Sequence, residues 1–170
     1  MRCALYVVNT PAAGRLATMA HPRGGDWLAD ELTGLADAGV DLLVSALTDG
    51  EMRQLELVRE ADEARAAGLA FVRYPIPDLS LPPDLPAELE LSARLAEQVR
   101  AGRFVVAHCW AGVGRSSMIV GSVLVRLGLE PEQAWAAISE ARGLQVPDLP
   151  AQEQWLHDFA DAVAASRATP

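Results

Sequence analysis

Lysine is absent from this chain of 170 residues, and all 14 of its cationic side chains are arginine. Aspartate and glutamate together number 23, so the formal net charge at pH 7 is −9. A chain this acidic, without a basic run, is poorly suited to bind nucleic acid or an anionic membrane surface. The lack of lysine also excludes the nucleotide-binding loop Gly-x4-Gly-Lys-Ser/Thr. We therefore expect neither a nucleic-acid partner nor a membrane partner.

Cysteine is nearly as scarce, since the chain has only Cys3 and Cys109. Two cysteines do not make a disulfide framework, and their spacing does not suit zinc. The three histidines do not add enough ligands to assemble a zinc site. The sequence therefore predicts two free thiols and no bound metal.

Long apolar runs are missing as well. No stretch approaches the roughly 20 apolar residues that are needed to span a bilayer. The apolar run at residues 3–8 is too short for the core of a signal peptide. A length of 170 residues suits one domain with a sizeable core. We expect a single cytoplasmic domain over residues 1–170.

Short apolar runs alternate with longer helical patterns along the chain. This alternation is typical of an α/β layer architecture. The predicted strands occupy residues 4–8, 41–47, 70–74 and 104–108, with a further short strand at residues 16–20. The predicted helices occupy residues 26–38, 50–67, 84–101, 114–127, 131–142 and 150–165.

A proline-rich segment at residues 75–83 follows the third of the four main predicted strands. It can be neither a helix nor a central strand, because proline lacks the N–H that both require. Loops at the ends of strands in α/β sheets often carry function. A rigid connector is the other interpretation, and the segment alone does not separate the two.

The segment from Cys109 to Arg115 lies between a buried-strand pattern and an apolar helix, with glycines at 112 and 114. The N-terminus of a helix binds anions, because free N–H groups and the helix dipole point toward the ligand. Gly112 and Gly114 would let the loop curl so that its N–H groups converge on one phosphate. The guanidinium of Arg115 would hold two oxygens of that phosphate.

Cys109 is expected at the base of this loop, where nearby positive charge would stabilise its thiolate. A thiolate in that position can attack phosphorus and form a phosphocysteine. A lone buried cysteine is usually an inert small hydrophobic residue. Here the cysteine, two glycines, an arginine and a serine fall in order at a strand-to-helix junction, which favours a nucleophile. The nucleophile-elbow pattern Gly-x-Ser-x-Gly is absent.

These residues resemble the signature His-Cys-x5-Arg-Ser/Thr of the protein tyrosine phosphatase superfamily. The resemblance implies that Cys109 is the nucleophile and that Ser116 assists departure of its thiolate. It implies that His108 supports the loop from behind rather than acting as a base. The phosphate would be bound by Arg115 and by the backbone of Trp110, Ala111, Gly112, Val113 and Gly114.

Two further segments are similar to compact dual-specificity members of that superfamily. Asp78 precedes Cys109 by 31 positions (109 − 78) and resembles their general acid. The segment Val146-Pro147-Asp148-Leu149-Pro150-Ala151-Gln152 resembles the pattern Val-Pro-Glu-Thr-x-x-Gln. By that resemblance Gln152 would position the hydrolytic water. Gln154 is a second candidate for this role, and the remaining alternative is that this segment is an ordinary solvated helix face.

The resemblance implies a three-layer α/β/α fold around a central, mainly parallel sheet of four to five strands. It implies hydrolysis of phosphate monoesters without a cofactor, on a phosphorylated protein or peptide. Phosphotyrosine is the expected substrate, with phosphoserine or phosphothreonine as others. An inositol phosphate or an RNA 5′-phosphate is the alternative substrate, and a phosphate-binding module without turnover is the alternative from another class. A sulfurtransferase or an arsenate reductase would not explain the Asp78 and Gln152 segments together.

The predicted loop carries apolar side chains at Trp110, Ala111 and Val113. Such a rim suits an aryl or peptide phosphate better than a polyanionic head group. Four other polar residues could line the rim, but they are better interpreted as ordinary surface residues: His21, Asp26, Asp49 and Glu51.

Overall fold

The computed structural model describes residues 3–168, which form five β-strands, seven α-helices and a short 3-10 turn at Gly25–Trp27. The strands are β1 (Tyr6–Val8), β2 (Arg15–Ala20), β3 (Leu42–Ser45), β4 (Ala70–Arg73) and β5 (Phe104–Cys109). All five strands were predicted from the sequence, with ends that shift by at most two residues.

The strands form one sheet in the order β1-β2-β5-β3-β4. Strand β5 lies at the centre and pairs in parallel with β2 and β3, while β4 extends the parallel part beyond β3. Only the edge strand β1 among these five runs antiparallel to its neighbour β2. The expected mainly parallel sheet is confirmed, and the short strand predicted at residues 16–20 is one of its central members.

The helices are α1 (Leu28–Asp37), α2 (Asp49–Gln54), α3 (Glu60–Ala66), α4 (Leu85–Arg100), α5 (Arg115–Arg126), α6 (Pro131–Arg142) and α7 (Pro150–Ala168). Helices α4 to α7 cover one face of the sheet, and α1 to α3 cover the other. The three-layer α/β/α architecture is therefore confirmed. None of the described helices is both long enough and apolar enough to cross a membrane.

The single helix predicted over residues 50–67 is wrong, because the chain breaks between α2 and α3. Glu56 adopts a left-handed conformation with φ of 56°, which ends the helical path. The segment of residues 24–25 packs directly against this break, where the N–H of Gly25 donates to the carbonyl of Glu56 at 3.1 Å. A side chain at Gly24 would collide with the Leu55 carbonyl oxygen, 1.9 Å from a Cβ built there. This close tertiary contact overrides the local helical pattern.

Alternate residues of β5 supply both cores of the molecule. Val105 and Ala107 point toward the face covered by α4 to α7, whereas Phe104 and Val106 point toward α1 to α3. Every residue of β5 is buried. A strand buried on both faces fixes the position of the residue at its end, Cys109, more firmly than an edge strand would.

A buried carboxyl group lies in the interface between α4 and α5. Glu88 is fully buried in the first turn of α4 and accepts a hydrogen bond from the Ser122 hydroxyl on α5 at 2.6 Å. Burial raises the pKa of Glu88 to about 7, against the opposing effect of hydrogen bonds from Ser122 and Tyr74. The folded protein therefore favours the protonated form of this carboxyl.

We predict that Glu88→Gln removes a loss of stability that the wild type suffers as the pH rises. The unfolded chain releases this proton near the ordinary value of 4.5, whereas the folded chain holds it until about 7. The wild type should therefore lose free energy of unfolding between these two values, by at most about 1.4 kcal/mol per pH unit from this group. Urea unfolding of both proteins at pH 5 and pH 8 measures the difference. Identical pH dependence in the two proteins would contradict the assignment.

Candidate active site

The loop of residues 110–114 joins the end of β5 to the start of α5 and passes close to β2. Gly112 has φ of 72°, a conformation that side chains rarely adopt. A Cβ built at Gly112 would lie 2.4 Å from the backbone carbonyl of Met19. Both the positive φ and the close contact with Met19 therefore require glycine at position 112. Because glycine has no side chain, the loop can curl over the end of the sheet.

The thiol of Cys109 lies at the base of this loop and is buried. The backbone N–H of Gly112 donates to its Sγ at 3.3 Å. The Oγ of Ser116, in the first turn of α5, lies 3.4 Å from the same sulfur. Two hydrogen-bonding groups and the N-terminus of a helix thus surround the sulfur.

Arg115 is the first residue of α5, and its guanidinium is fixed by contacts with two other segments. Its Nη1 and Nη2 donate to the two carboxylate oxygens of Glu51 at 2.9 and 2.8 Å. Nη1 also donates to the backbone carbonyl of Ile76 at 2.9 Å. Nη2 lies 3.2 Å from Oδ1 of Asp78. The guanidinium is therefore oriented by contacts within the protein.

These contacts shift the protonation of both partners toward the charged forms. Burial opposes the charge on Arg115, but the hydrogen bonds that it donates to Glu51 and the negative charges of Cys109, Glu51 and Asp78 raise its pKa. Burial also opposes the charge on Glu51, but hydrogen bonds from Arg115 and Thr48 lower the pKa of that carboxyl. Glu51 and Arg115 are therefore both ionised across the physiological range.

The expectation that Glu51 is an ordinary surface residue is wrong, because its carboxylate pairs with Arg115. It lies in the first turn of α2, where it forms a reciprocal capping box with Thr48. The pattern Thr48-x-x-Glu51 predicts such a helix start, but it does not reveal that the same carboxylate reaches Arg115, 64 positions away. Sequence reasoning therefore missed the residue that orients the guanidinium.

The other three polar residues that were considered for the rim of the loop, His21, Asp26 and Asp49, have different surroundings. Asp49 pairs with Arg73 at 2.7 Å, and Asp26 is exposed. The ring of His21 contacts Trp110 edge-on, with 5.8 Å between the ring centroids, and its backbone N–H donates to the Trp110 carbonyl. Of these three, only His21 contacts the loop.

A cavity of about 150 Å³ opens above the sulfur. It is lined by Asp78, Leu79, Cys109, Trp110, Ala111, Val113, Gly114, Arg115, Asp148, Leu149 and Gln152. The cavity thus brings the proline-rich loop, the cysteine loop and the segment before α7 to one place. Among the residues described in the structure, no group of three or more His, Cys, Asp or Glu side chains could hold a metal ion.

Gln152, rather than its rival Gln154, lies in this cavity. Gln152 is buried, and its Oε1 has no hydrogen-bond partner within residues 3–168. Its amide also lies 3.0 Å from a Cβ built at Gly114, so a side chain there would crowd it. The side chain of Gln154 instead donates to Asp158 on the exposed side of α7. The structure therefore separates the two glutamines that the sequence left open.

His108 lies behind the loop, on the opposite face of β5 from Cys109. Its Nδ1 lies 3.4 Å from the Cys109 carbonyl oxygen. Its Nε2 lies 2.8 Å from Oε1 of Glu60 on α3, in a fully buried contact whose angle departs from that of a hydrogen bond. Sequence reasoning did not anticipate Glu60, because the residue lies in the helix that was predicted as continuous.

The second cysteine lies in a different environment. The thiol of Cys3 donates to the Glu31 carboxylate at 2.6 Å. Burial, the hydrogen bond and the charge of Glu31 raise the pKa of Cys3 to about 12. Cys3 therefore stays protonated at neutral pH, which makes it a poor nucleophile.

Comparison with known proteins supports the class that the fold and the site define, the cysteine-dependent phosphatases. Residues 17–129 match the family described as Tc-R-P, polymorphic toxin system, DSP-PTPase phosphatase. Cyclin-dependent kinase inhibitor 3 of Rattus norvegicus is 28% identical over 133 residues, which are 77% of this chain and 62% of that protein. The chain thus matches less than two thirds of that relative's length.

Two solved structures have the same fold. Kinase associated phosphatase, with its catalytic-site cysteine replaced by serine, superimposes with a TM-score of 0.85 at 21% identity, over 97% of this chain and 98% of that one. PTPMT1 in complex with PI(5)P superimposes with a TM-score of 0.76 at 22% identity, over 94% and 98% of the two chains. This chain belongs to the DSP-PTPase phosphatase family, as a compact dual-specificity-like member of the protein tyrosine phosphatase superfamily.

Proposed function

We propose that this protein hydrolyses phosphate monoesters of proteins, phosphotyrosine foremost, through a phosphocysteine at Cys109. One observation carries the proposal. The Cys109 sulfur lies at the floor of a cavity, within 3.4 Å of the Ser116 hydroxyl and 3.3 Å of the Gly112 N–H, with Arg115 and Asp78 in the cavity wall. Nucleophile, anion clamp and acid are therefore within reach of one bound phosphate.

In the first step the thiolate of Cys109 attacks phosphorus, and the bond from phosphorus to the ester oxygen breaks. Asp78 transfers its proton to that oxygen, so the product leaves as an alcohol or a phenol. The side chain of Asp78 is 68% exposed, so it can meet a leaving group at the mouth of the cavity. The developing charge on the phosphoryl oxygens is stabilised by Arg115 and by the N–H groups of residues 110–114.

In the second step water attacks phosphorus, and the bond from phosphorus to sulfur breaks. Asp78, now a carboxylate, takes a proton from the water. Gln152 orients that water through its free Oε1, which is buried in the cavity wall. The hydroxyl of Ser116 donates to the sulfur and so stabilises the departing thiolate. Inorganic phosphate leaves and the enzyme is regenerated without a metal or a cofactor.

The contacts of Arg115 determine which of its donors face the substrate. A guanidinium carries five N–H donors. Glu51 and the Ile76 carbonyl take three of these, one on Nη2 and both on Nη1. The Nε–H and the second hydrogen on Nη2 remain, and Nη2 lies near Asp78. These two donors lie on one edge of the plane, the geometry that clamps two phosphate oxygens.

The surroundings of the cavity support a protein substrate with a single phosphate. Leu79 is 71% exposed and Trp110 is 37% exposed, and both line the cavity with Leu149. Arg115 is the only cation among the lining residues. An apolar rim with one cation suits an aryl phosphate on a peptide, whereas a polyphosphorylated head group would need further positive charge.

A phosphoinositide or another non-protein phosphate is the second candidate. Its support is the similarity to PTPMT1, which was solved in complex with PI(5)P. That likeness shows the fold alone, and the carboxyl group of Asp148 in the cavity lining would oppose a second substrate phosphate. We therefore favour the phosphoprotein.

The nucleophile is tested by Cys109→Ser. The variant should fold and bind vanadate, because Arg115 and the loop N–H groups remain. Its turnover should fall by several orders of magnitude, because an alcohol is far less ionised than a thiol. Steady-state rates on an aryl phosphate, with vanadate binding as the control for a formed site, measure both. Substantial residual turnover would contradict the assignment, and inhibition of the wild type by a metal chelator would contradict the metal-free reaction.

The acid is tested by Asp78→Asn on substrates whose leaving groups differ. A poor leaving group needs its oxygen protonated, so hydrolysis of an alkyl phosphate or of phosphotyrosine should slow strongly. An activated aryl phosphate should lose much less. Steady-state rates of the wild type and the variant on this series of leaving groups measure the difference. Equal losses on all substrates would make Asp78 a structural residue of the loop.

A further inference from the structure

The cavity contains more negative than positive charge before any substrate binds. Apart from Asp78, which carries the proton of the proposed acid, the lining residues include the carboxyl group of Asp148, and their single cation is Arg115. The positive charge of Arg115 is already paired with Glu51 at 2.8 Å, and Glu51 stays ionised because its pKa is lowered. A bound phosphate dianion beside the Cys109 thiolate would add to this excess. A cation carried by the substrate itself would offset it.

Asp148 is the lining residue that is free to meet such a cation. It is exposed at the edge of the cavity, between Pro147 and Leu149, just before α7 begins. Within residues 3–168 its carboxylate has no hydrogen bond and no ion pair. Asp78, the other carboxylate of the wall, already lies 3.2 Å from Arg115. The mechanism proposed above assigns no role to Asp148.

The Gln152 acceptor that orients water in the proposed mechanism lies in the same wall as Asp148. Gln152 is 2% exposed, lines the cavity and has an unpaired Oε1 within the described part of the chain. A buried acceptor without a donor is unfavourable unless a bound molecule supplies one. The segment that holds Asp148 and Gln152 is therefore rich in acceptors and lacks cations, and it faces a space that a ligand would fill.

We propose that Asp148 determines substrate specificity by pairing with an arginine or lysine side chain within two residues of the phosphorylated residue. This inference rests on the proposed phosphoprotein activity and deepens it. The substrate class is a phosphopeptide with a basic neighbour. Among the lining residues the one cation is Arg115, which is already paired with Glu51, so the lining offers no further cation that would select acidic peptides instead.

The test uses three phosphotyrosyl peptides that differ only in the residues beside phosphotyrosine, which are arginine, alanine or glutamate. With the wild type, kcat/KM should be about threefold higher for arginine than for alanine and about tenfold higher than for glutamate, as an exposed ion pair allows. The ratio should shrink as salt is added, because exposed charges are screened. Equal values for the three peptides would overturn the inference while leaving the phosphatase activity standing.

Two variants at Asp148 assign the preference to this residue. Asp148→Asn should reduce the ratio between the arginine and glutamate peptides to near one, mainly through KM. Asp148→Arg should invert the ratio. Asp161→Asn changes the net charge equally at an exposed position on α7, among residues that do not line the cavity, and should keep the wild-type preference. The same preference in all four proteins would overturn the role of Asp148.

Two further outcomes separate this inference from the proposed function. Absence of Cys109-dependent turnover on every peptide would overturn both. A higher kcat/KM for an inositol phosphate than for any peptide would overturn the phosphoprotein substrate and the inference with it. A different result is that the kcat of the Asp148→Asn protein falls in a way that depends on the leaving group and not on the peptide sequence. That result would show that Asp148 acts as an acid and not as a specificity residue.

Discussion

The ion pair between Arg115 and Glu51 joins the parts of this site that the chain supplies from distant positions. Glu51 belongs to α2, Arg115 begins α5, and the same guanidinium also binds the Ile76 carbonyl in the proline-rich loop. Arg115 is almost completely buried, so its charge depends on these acceptors. Because a fixed guanidinium needs no rearrangement when charge develops on a phosphate, this pair is the central element of the proposed catalysis.

The sheet explains why these segments meet. The carboxyl ends of parallel strands lie at one edge, which is where ligands bind in α/β folds. Strand β5 ends at Cys109, β3 leads to the Thr48 cap of α2, and β4 leads to the loop that holds Asp78. The buried contact between His108 and Glu60 braces β5 against α3 from behind. The loop is therefore supported from both faces of the sheet.

Much of this could be predicted from the sequence, because the decisive signals are local. The cysteine, the two glycines and the arginine fall within seven consecutive residues, and the strand before them and the helix after them have clear patterns. Glu51 and Glu60 could not be predicted in their roles, since each acts on a residue far away in the chain. The break at Glu56 was missed for the same reason, as it depends on contact with residues 24–25. A local sequence pattern does not reveal contacts between residues that are far apart in the chain.

The most direct measurement of the central claim is kcat/KM of Glu51→Gln on a small aryl phosphate. If only the net charge of the site mattered, kcat/KM would increase, because the substitution removes a negative charge beside a site that binds an anion. If the orientation of the guanidinium matters, kcat/KM should decrease. The neutral amide offers one acceptor oxygen, whereas Arg115 now binds the two oxygens of Glu51. We expect kcat/KM to fall at least tenfold, a loss of about 1.4 kcal/mol. An unchanged or higher value would contradict it.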